Sequence, residues 1–207
     1  MALREQIQVW AEELRGLATV GLLYATNDYD RERYTRLRRI AAELFAATDT
    51  READNVERIY SGEIGYATPK VTAETAVFNE HGEVLLVRRA DNGLWALPGG
   101  VLEVGEPAAV GAIREVREEA GVEVCIRRLL GITDSRHCRG LLANYHYHIS
   151  FLGEPIGGTL ATSHETTGVG YFPESALPPL LAGLAPRLAH AFRTWRGETQ
   201  GAYFDPD

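Results

Sequence analysis

The sequence predicts an α/β domain preceded by a small all-α region, on three observations. Residues 1–60 repeat apolar side chains at steps of three and four, the period of helices that bury one stripe. From Ser61 glycine and proline enter, and short strand-like runs appear between turn signals. Among those runs lies a helical segment at about Pro107–Ala120, entered from a loop bearing glycine and proline.

Leu3, Ile7, Trp10, Leu14 and Leu17 share one stripe of a first helix. After the polar turn Asn27–Asp30, a second helix carries Tyr34, Leu37, Ile40, Ala41, Leu44 and Phe45 inward. Asp28 and Asp30 stand where its positive dipole end begins. Glu52–Tyr60 reads as a third, shorter helix. Helices of this size cover one another poorly, so a second copy of the chain or the following domain is expected against them. Gly62, Gly65 and Pro69 mark Ser61–Val71 as a linker. The expected organisation is a dimerising helical domain over 1–60, a linker over 61–71 and a main domain over 72–207. In the main domain, Ala73–Phe78 and Glu83–Arg89 flank the turn Asn79-Glu80-His81-Gly82, a hairpin expectation. Leu97-Pro98-Gly99-Gly100 forms a loop, and Pro107 suits the first turn of the helix after it, where its missing N–H costs nothing. Strands follow at Val124–Ile132 and Ala143–Leu152. In the latter Tyr145, Tyr147, Ile149 and Phe151 alternate with Asn144, His146, His148 and Ser150. A short strand at Val169–Phe172 and a helix at Leu184–Trp195 complete the pattern.

With 207 residues, 45% hydrophobic and 24% charged, the chain is long enough for one full core plus a small accessory domain. Its 29 acidic and 21 basic side chains give a net charge of −8, which speaks against a nucleic-acid polymer as partner. Cys125 and Cys138 have no CxxC spacing, so free thiols in a reducing compartment are expected rather than a disulfide framework. Glu5, Glu12 and Glu13 interrupt the start in a way a signal peptide does not. No stretch approaches the roughly 18 apolar residues of a membrane span. A cytoplasmic protein with a small-molecule substrate and no membrane partner is expected.

Glu115, Glu118 and Glu119 lie at i, i+3 and i+4, so their carboxylates share one turn, while Ala109, Ile113, Val116 and Ala120 fall opposite. Like charges so placed repel by a few tenths of a kcal/mol per exposed pair. Clustered carboxylates suit a hard cation such as Mg²⁺ or Mn²⁺, and Arg114 or Arg117 could hold one of them by bidentate pairing. On the helix alone, a solvated acidic face explains the pattern as well.

The wider context decides between them. Gly100, five residues, Glu106, seven residues, then Arg114-Glu115-Val116-Arg117-Glu118-Glu119-Ala120-Gly121-Val122 matches every defined position of G-x5-E-x7-R-E-U-x-E-E-x-G-U, where U is aliphatic. Gly121 also suits a left-handed helix cap. The chain thus resembles the Nudix hydrolases over about Thr72–Trp195. The resemblance implies an α/β/α sandwich with a mixed sheet. It implies Glu115, Glu118 and Glu119 as ligands of one to three divalent cations, Mg²⁺ with Mn²⁺ as a possible substitute, joined by the Gly99 carbonyl. Arg114 would orient Glu115 or a neighbour, Glu106 would brace the loop, and Gly100 would lie on the substrate side. The implied reaction is attack by water on one phosphorus of a nucleoside diphosphate linked to a group X. The helical start, Gly65-Tyr66-Ala67-Thr68-Pro69-Lys70-Val71 and Trp95-Ala96-Leu97-Pro98-Gly99-Gly100 resemble the subgroup with an N-terminal helical extension. That subgroup is associated with ADP-ribose or CDP-choline and with dimerisation. A nucleoside triphosphate pyrophosphohydrolase and a non-catalytic nucleotide-sensing or assembly module are the competing functions.

Outside this box, Ser163–Phe172 resembles the loop that carries a general base in related enzymes, which makes Glu165 the candidate; His164 could assist proton transfer. Gly168 stands where related loops often carry a second acidic residue, which leaves Glu165 or a glutamate of the box as the base. His146 and His148 share a strand face but lack a third ligand of clear spacing. His137 beside Cys138 is no nucleophilic pair, because neighbours on an extended segment point apart. Trp95 could stack on a base or ribose, or pack in the core. Arg88 and Arg89 end a strand where one could contact phosphate.

Overall fold

A computed structural model describes residues 3–62, 65, 68–135 and 145–205. His137, Cys138, Tyr66, Ala67 and the expected strand start at Ala143–Asn144 lie outside the described residues. The chain divides into two compact units, one made chiefly of residues up to Lys70 and one of residues from Val71 onward.

The first unit holds helices α1 (Leu3–Tyr24), α2 (Asp28–Ala46) and α3 (Ala53–Ser61). Asn27 starts α2 as a side-chain cap, its Oδ1 accepting the Asp30 N–H at 2.9 Å. Ala11, Ala41, Ala42, Phe45, Val56 and Tyr60 form the core, small residues letting the helices approach. Tyr60 donates to Glu12 at 2.8 Å, and Arg15 pairs with the same carboxylate at 2.9 Å while lying over the Tyr60 ring.

The second unit contains β1 (Lys70–Val77), β2 (Val84–Arg89), β3 (Trp95–Ala96), β4 (Gly99–Val101), α4 (Ala108–Ala120), β5 (Val122–Asp134), β6 (His146–Gly158), β7 (Thr166–Phe172), α5 (Leu184–Trp195) and β8 (Tyr203–Phe204). Five strands run in the order β4-β1-β6-β5-β8, mixed because β8 joins β5 in parallel while β4–β1 and β5–β6 are antiparallel. A second sheet has the order β3-β2-β7. Alternate residues of β1 sort to the two helices. Val77 packs with Val116 and Ala120 of α4, and Ala76 with Leu184, Leu188 and Phe192 of α5.

Two expectations change. The turn Asn79–Gly82 forms, with Asn79 Oδ1 accepting the N–H groups of His81 and Glu83 at 3.0 Å, but it joins strands of different sheets rather than a hairpin. Among the described residues they are linked by the bridge Phe78–Val84 and by the Asn79 N–H donating to the Glu83 carbonyl at 3.1 Å. The reason is that β2 is buried on both faces, Val84 and Leu86 toward α5 and Leu85 and Val87 toward α4, so it pairs β7 and β3 between the helices. Gly82, at φ 75°, lies under the Trp195 ring, which a Cβ would approach to 2.6 Å. Secondly, Pro107 caps α4 from outside (ψ 142°) rather than entering its first turn.

The polar face of β6 is buried. Ser150 donates to Glu74 at 2.6 Å, Arg187 of α5 pairs with Glu74 at 3.1 Å, and Thr72 meets His148 Nδ1 at 2.7 Å. Burial pushes the His148 imidazole down to about 4, against the pull of Glu74 and Asp134 and with the push of Arg187 and His146. A histidine held neutral stabilises the fold above its ordinary range near 6.5, and that contribution is lost as pH falls from there toward 4. The expected loss is up to about 3 kcal/mol. Urea unfolding at stepped pH checks this: the wild type weakens across that window and His148→Gln does not, whereas parallel profiles contradict it.

Candidate active site

The site is assembled where β4 meets the C-terminal half of α4. Register pairs Glu74 with Gly99 and Ala73 with Gly100. A side chain at Gly99 would strike Ala73 and Glu74, and a Cβ at Gly100 would come within 2.6 Å of Glu115 Oε1. Gly100 therefore leaves space for the Glu115 carboxylate, and Gly99 lets β4 lie close against the β1 backbone. α4 ends at Gly121, whose φ of 73° makes the left-handed cap read from the sequence.

On α4, Glu115 and Glu119 are each only 8% exposed and face the glycine loop, one turn apart. Glu119 accepts the Gly99 N–H at 2.9 Å, and Thr166 fixes the same turn by donating to the Glu119 carbonyl at 3.0 Å. Burial pushes the Glu119 carboxyl up to about 7, with the Gly99 N–H pulling down and Glu115 pushing further up. Burial also raises Glu115, against its bond to Arg114. Arg114 gathers the rest. It pairs with Glu106 at 2.8 Å, Glu115 at 2.8 Å and Glu118 at 3.0 Å. Glu106, held low chiefly by Arg114, also accepts the Glu103 N–H at 2.7 Å and so ties the loop to the helix. Glu118 stands at the rim, its side chain 58% exposed. Arg117 is exposed and takes no part in this set.

The donor chemistry is that of a hard cation: oxygen-only side chains, Glu115 and Glu119 buried, with the Arg114 guanidinium shared among Glu106, Glu115 and Glu118. Space for a donor loop is kept open by two glycines. Among the described residues no three carboxylate, histidine or cysteine side chains converge on one point: Glu115 and Glu118 share Arg114 Nη1, and Glu119 turns to the Gly99 N–H.

The other sequence candidates divide. Arg89 and Glu165 are near enough for their charges to act on Glu119. Asp91 holds the Arg89 guanidinium bidentately at 3.0 and 2.8 Å. Glu165 is a rim residue with a 61% exposed side chain, 3.3 Å from the more exposed His164. Arg88 is set apart from this group, its Nε donating to Gly93 O at 3.0 Å. Trp95 packs edge-on against Phe172 at 4.8 Å and covers Gly168, where a Cβ would approach its ring to 3.2 Å. Gly168 thus has a steric reason. His146 and His148 stack inside the fold, away from these carboxylates' side of the sheet. Asp91 and Thr166 were not legible as site residues: an aspartate in a turn and a threonine at a strand start are commonplace.

The fold, the loop–helix junction and the carboxylate set define a Nudix domain. Residues 68–195 match the NUDIX domain family, and the chain belongs to it, a family of hydrolases acting on acid anhydrides that generally use a divalent metal. Residues 5–60 match the family described as the UDP-X-like, N-terminal oligomerisation domain. The chain is 37% identical over 171 residues to YjhB of Bacillus subtilis (strain 168), provisionally named an ADP-ribose pyrophosphatase, covering 82% of each. A crystal structure of an ADP-ribose pyrophosphatase from Streptococcus suis is 32% identical, with TM-score 0.57, covering 67% of this chain and all (100%) of that one. The crystal structure of a UDP-X diphosphatase is alike in fold over 98% of this chain and 99% of its own, with TM-score 0.61 and 23% identity. Among the described residues no helix is long and apolar enough to cross a membrane.

Proposed function

We propose that this chain hydrolyses the pyrophosphate bond of a nucleoside diphosphate linked to X, of the ADP-ribose or CDP-choline kind, giving a nucleoside monophosphate and phosphorylated X. The observation that carries the reading is the buried Glu115–Glu119 pair facing Gly99 and Gly100, Glu115 held by Arg114 and Glu119 by the Gly99 N–H. Glu115, Glu118, Glu119 and the Gly99 carbonyl would hold Mg²⁺, or Mn²⁺ in its place. Bound there, the ion would neutralise the diphosphate and activate water. Arg114 keeps Glu115 oriented and releases Glu118 from the rim. Arg89, latched by Asp91, meets a phosphate oxygen from the opposite wall. Glu165 takes the proton of the attacking water, a role suited to a carboxylate open to solvent beside the buried pair. Gly100 gives the substrate room to approach. Arg88 and Trp95 act from behind, bracing the β2–β3 turn and the Gly168 strand.

Residues 1–60 form the dimerising domain, 61–71 the linker and 72–207 the hydrolase domain. A cytoplasmic location agrees with two cysteines in no paired motif. The names of the B. subtilis and S. suis relatives and the N-terminal match support the substrate class. A panel of ADP-ribose, CDP-choline, NADH, diadenosine polyphosphates and dNTPs tests it. AMP from ADP-ribose or CMP from CDP-choline is expected. Rapid turnover of a dNTP with neither product would assign the chain to triphosphates, and nucleotide binding without turnover would make it a sensing module.

A further inference from the structure

The last carbonyl groups of a helix have no N–H one turn further on to accept from, so something outside the helix must serve them. At the end of α4 the Gly121 N–H serves the Arg117 carbonyl at 3.0 Å, and the chain returning from β6 serves two later ones. The Ala161 N–H donates to the Ala120 carbonyl at 3.0 Å, and the Thr166 hydroxyl donates to the Glu119 carbonyl at 3.0 Å. The segment from Ala161 to Thr166 is thus fastened at both ends to the turn that carries the site glutamates.

Glu165 stands beside the second fastening. Thr166 is 3% exposed, and its one hydroxyl makes the junction. With its proton committed to Glu119, Thr166 Oγ1 accepts the Ser163 N–H at 2.8 Å and can only accept from the Ser163 hydroxyl, 3.4 Å away. Ser163 Oγ accepts the Glu165 N–H at 3.1 Å, a local side-chain turn. From the other side, the Ala90 N–H holds the Glu165 carbonyl at 2.9 Å, next to Arg89. Both backbone polar groups of Glu165 are therefore fixed, one through Thr166 to α4 and one to the end of β2. Its carboxylate is near enough for its charge to act on both Glu115 and Glu119. A 61% exposed side chain has little to pack on, so its backbone must set where it stands.

We propose that Thr166 is a positioning residue for Glu165: its hydroxyl, bonded to the Glu119 carbonyl, sets the place of the Glu165 carboxylate over the buried glutamates. This rests on the reading of Glu165 as the base, and it names what holds that base in register with Glu115 and Glu119. The test is initial rates over a range of substrate and Mg²⁺ concentrations, with whichever member of the panel the wild type turns over. Thr166→Val keeps the shape and removes the hydroxyl. It is expected to lower kcat about 10-fold or more with KM and the Mg²⁺ requirement unchanged, since misplacement by about 1 Å can cost about 100-fold. Thr166→Ser keeps the hydroxyl and should keep most of the rate. Glu165→Gln is expected to lose about 100-fold or more. Adding Thr166→Val to it should cost little further, because nothing is left to position. Ser163→Ala frees the Glu165 N–H without touching α4 and should also lower kcat; it decides the matter if circular dichroism shows Thr166→Val unfolded. Full turnover in Thr166→Val, or in Ser163→Ala where it stands in, beside a slow Glu165→Gln overturns the positioning role and leaves the base standing. Equal losses from Thr166→Val in both backgrounds, or a loss that saturating Mg²⁺ restores, show the hydroxyl acting through Glu119 and overturn it too. Full turnover in Glu165→Gln overturns the base and this inference together, and a wild type inert toward the whole panel overturns the function with both.

Discussion

Replacing Glu119 by glutamine is expected to lower turnover by about 100-fold or more, and Glu118→Gln to do likewise, while the fold stays intact. The glutamine is nearly isosteric, and its carbonyl oxygen still accepts the Gly99 N–H that orients the side chain at 2.9 Å. What disappears is one negative charge in a site where burial already disfavours charge. Burial pushes the Glu119 carboxyl up to about 7, so its charged form is disfavoured until a positive charge stands beside it. A bound cation would add to the pull of the Gly99 N–H and Arg89 toward that charged form. Glu118 differs: it is exposed and resting on Arg114, so its loss removes a ligand without touching the core. Initial rates with Mg²⁺ and circular dichroism on both variants test this. Unchanged turnover in both would sink the carboxylate site.

Arg187→Ala is expected to cost about 3–5 kcal/mol of stability, because it strands the Glu74 carboxylate inside the fold. Arg187 and Glu74 have side chains only 6% and 10% exposed, and their atoms lie 3.1 Å apart. Ser150 is the other close partner of Glu74, and a hydroxyl cannot replace a guanidinium's charge. Glu74 is also the register partner of Gly99, so a shift of β1 there reaches the loop that aligns Glu119. The double change Arg187→Met/Glu74→Gln should recover most of the loss, since paired removal leaves no buried charge. Urea unfolding of the two singles and the double measures the coupling. A single-variant loss under about 1 kcal/mol would show that the pair is already solvated.

The helices were legible because each carries its own signal. α4 and α5 were bounded to within a residue by a cap or by apolar spacing, while the polar turn read at Asn27–Asp30 is the cap and first turn of α2. Strand partners were not, because β2 and β7 meet across a long stretch of intervening chain and nothing local in Val84–Arg89 names Thr166–Phe172. The polar alternation in β6 was visible, but its buried side depends on Glu74 and Arg187 arriving from β1 and α5. In the site, the residues on one helix and one loop came as a set, since sequence spacing on a helix is already geometry. Asp91 and Thr166 were hidden because their roles depend on what a turn and a neighbouring strand bring beside them. Gly168 read as a missing acid; in the fold it packs closely under the Trp95 ring.

The central claim is that the glycine-loop carboxylates support metal-dependent hydrolysis of a nucleoside diphosphate linked to X. Its most direct test is one incubation of the full chain with ADP-ribose and CDP-choline in ¹⁸O-labelled water, with Mg²⁺ or with EDTA. The account predicts that at least one substrate gives its nucleoside monophosphate only with metal, with a single ¹⁸O in one of the two phosphate products. Equal turnover in EDTA, or no cleavage of either substrate with Mg²⁺, would contradict it.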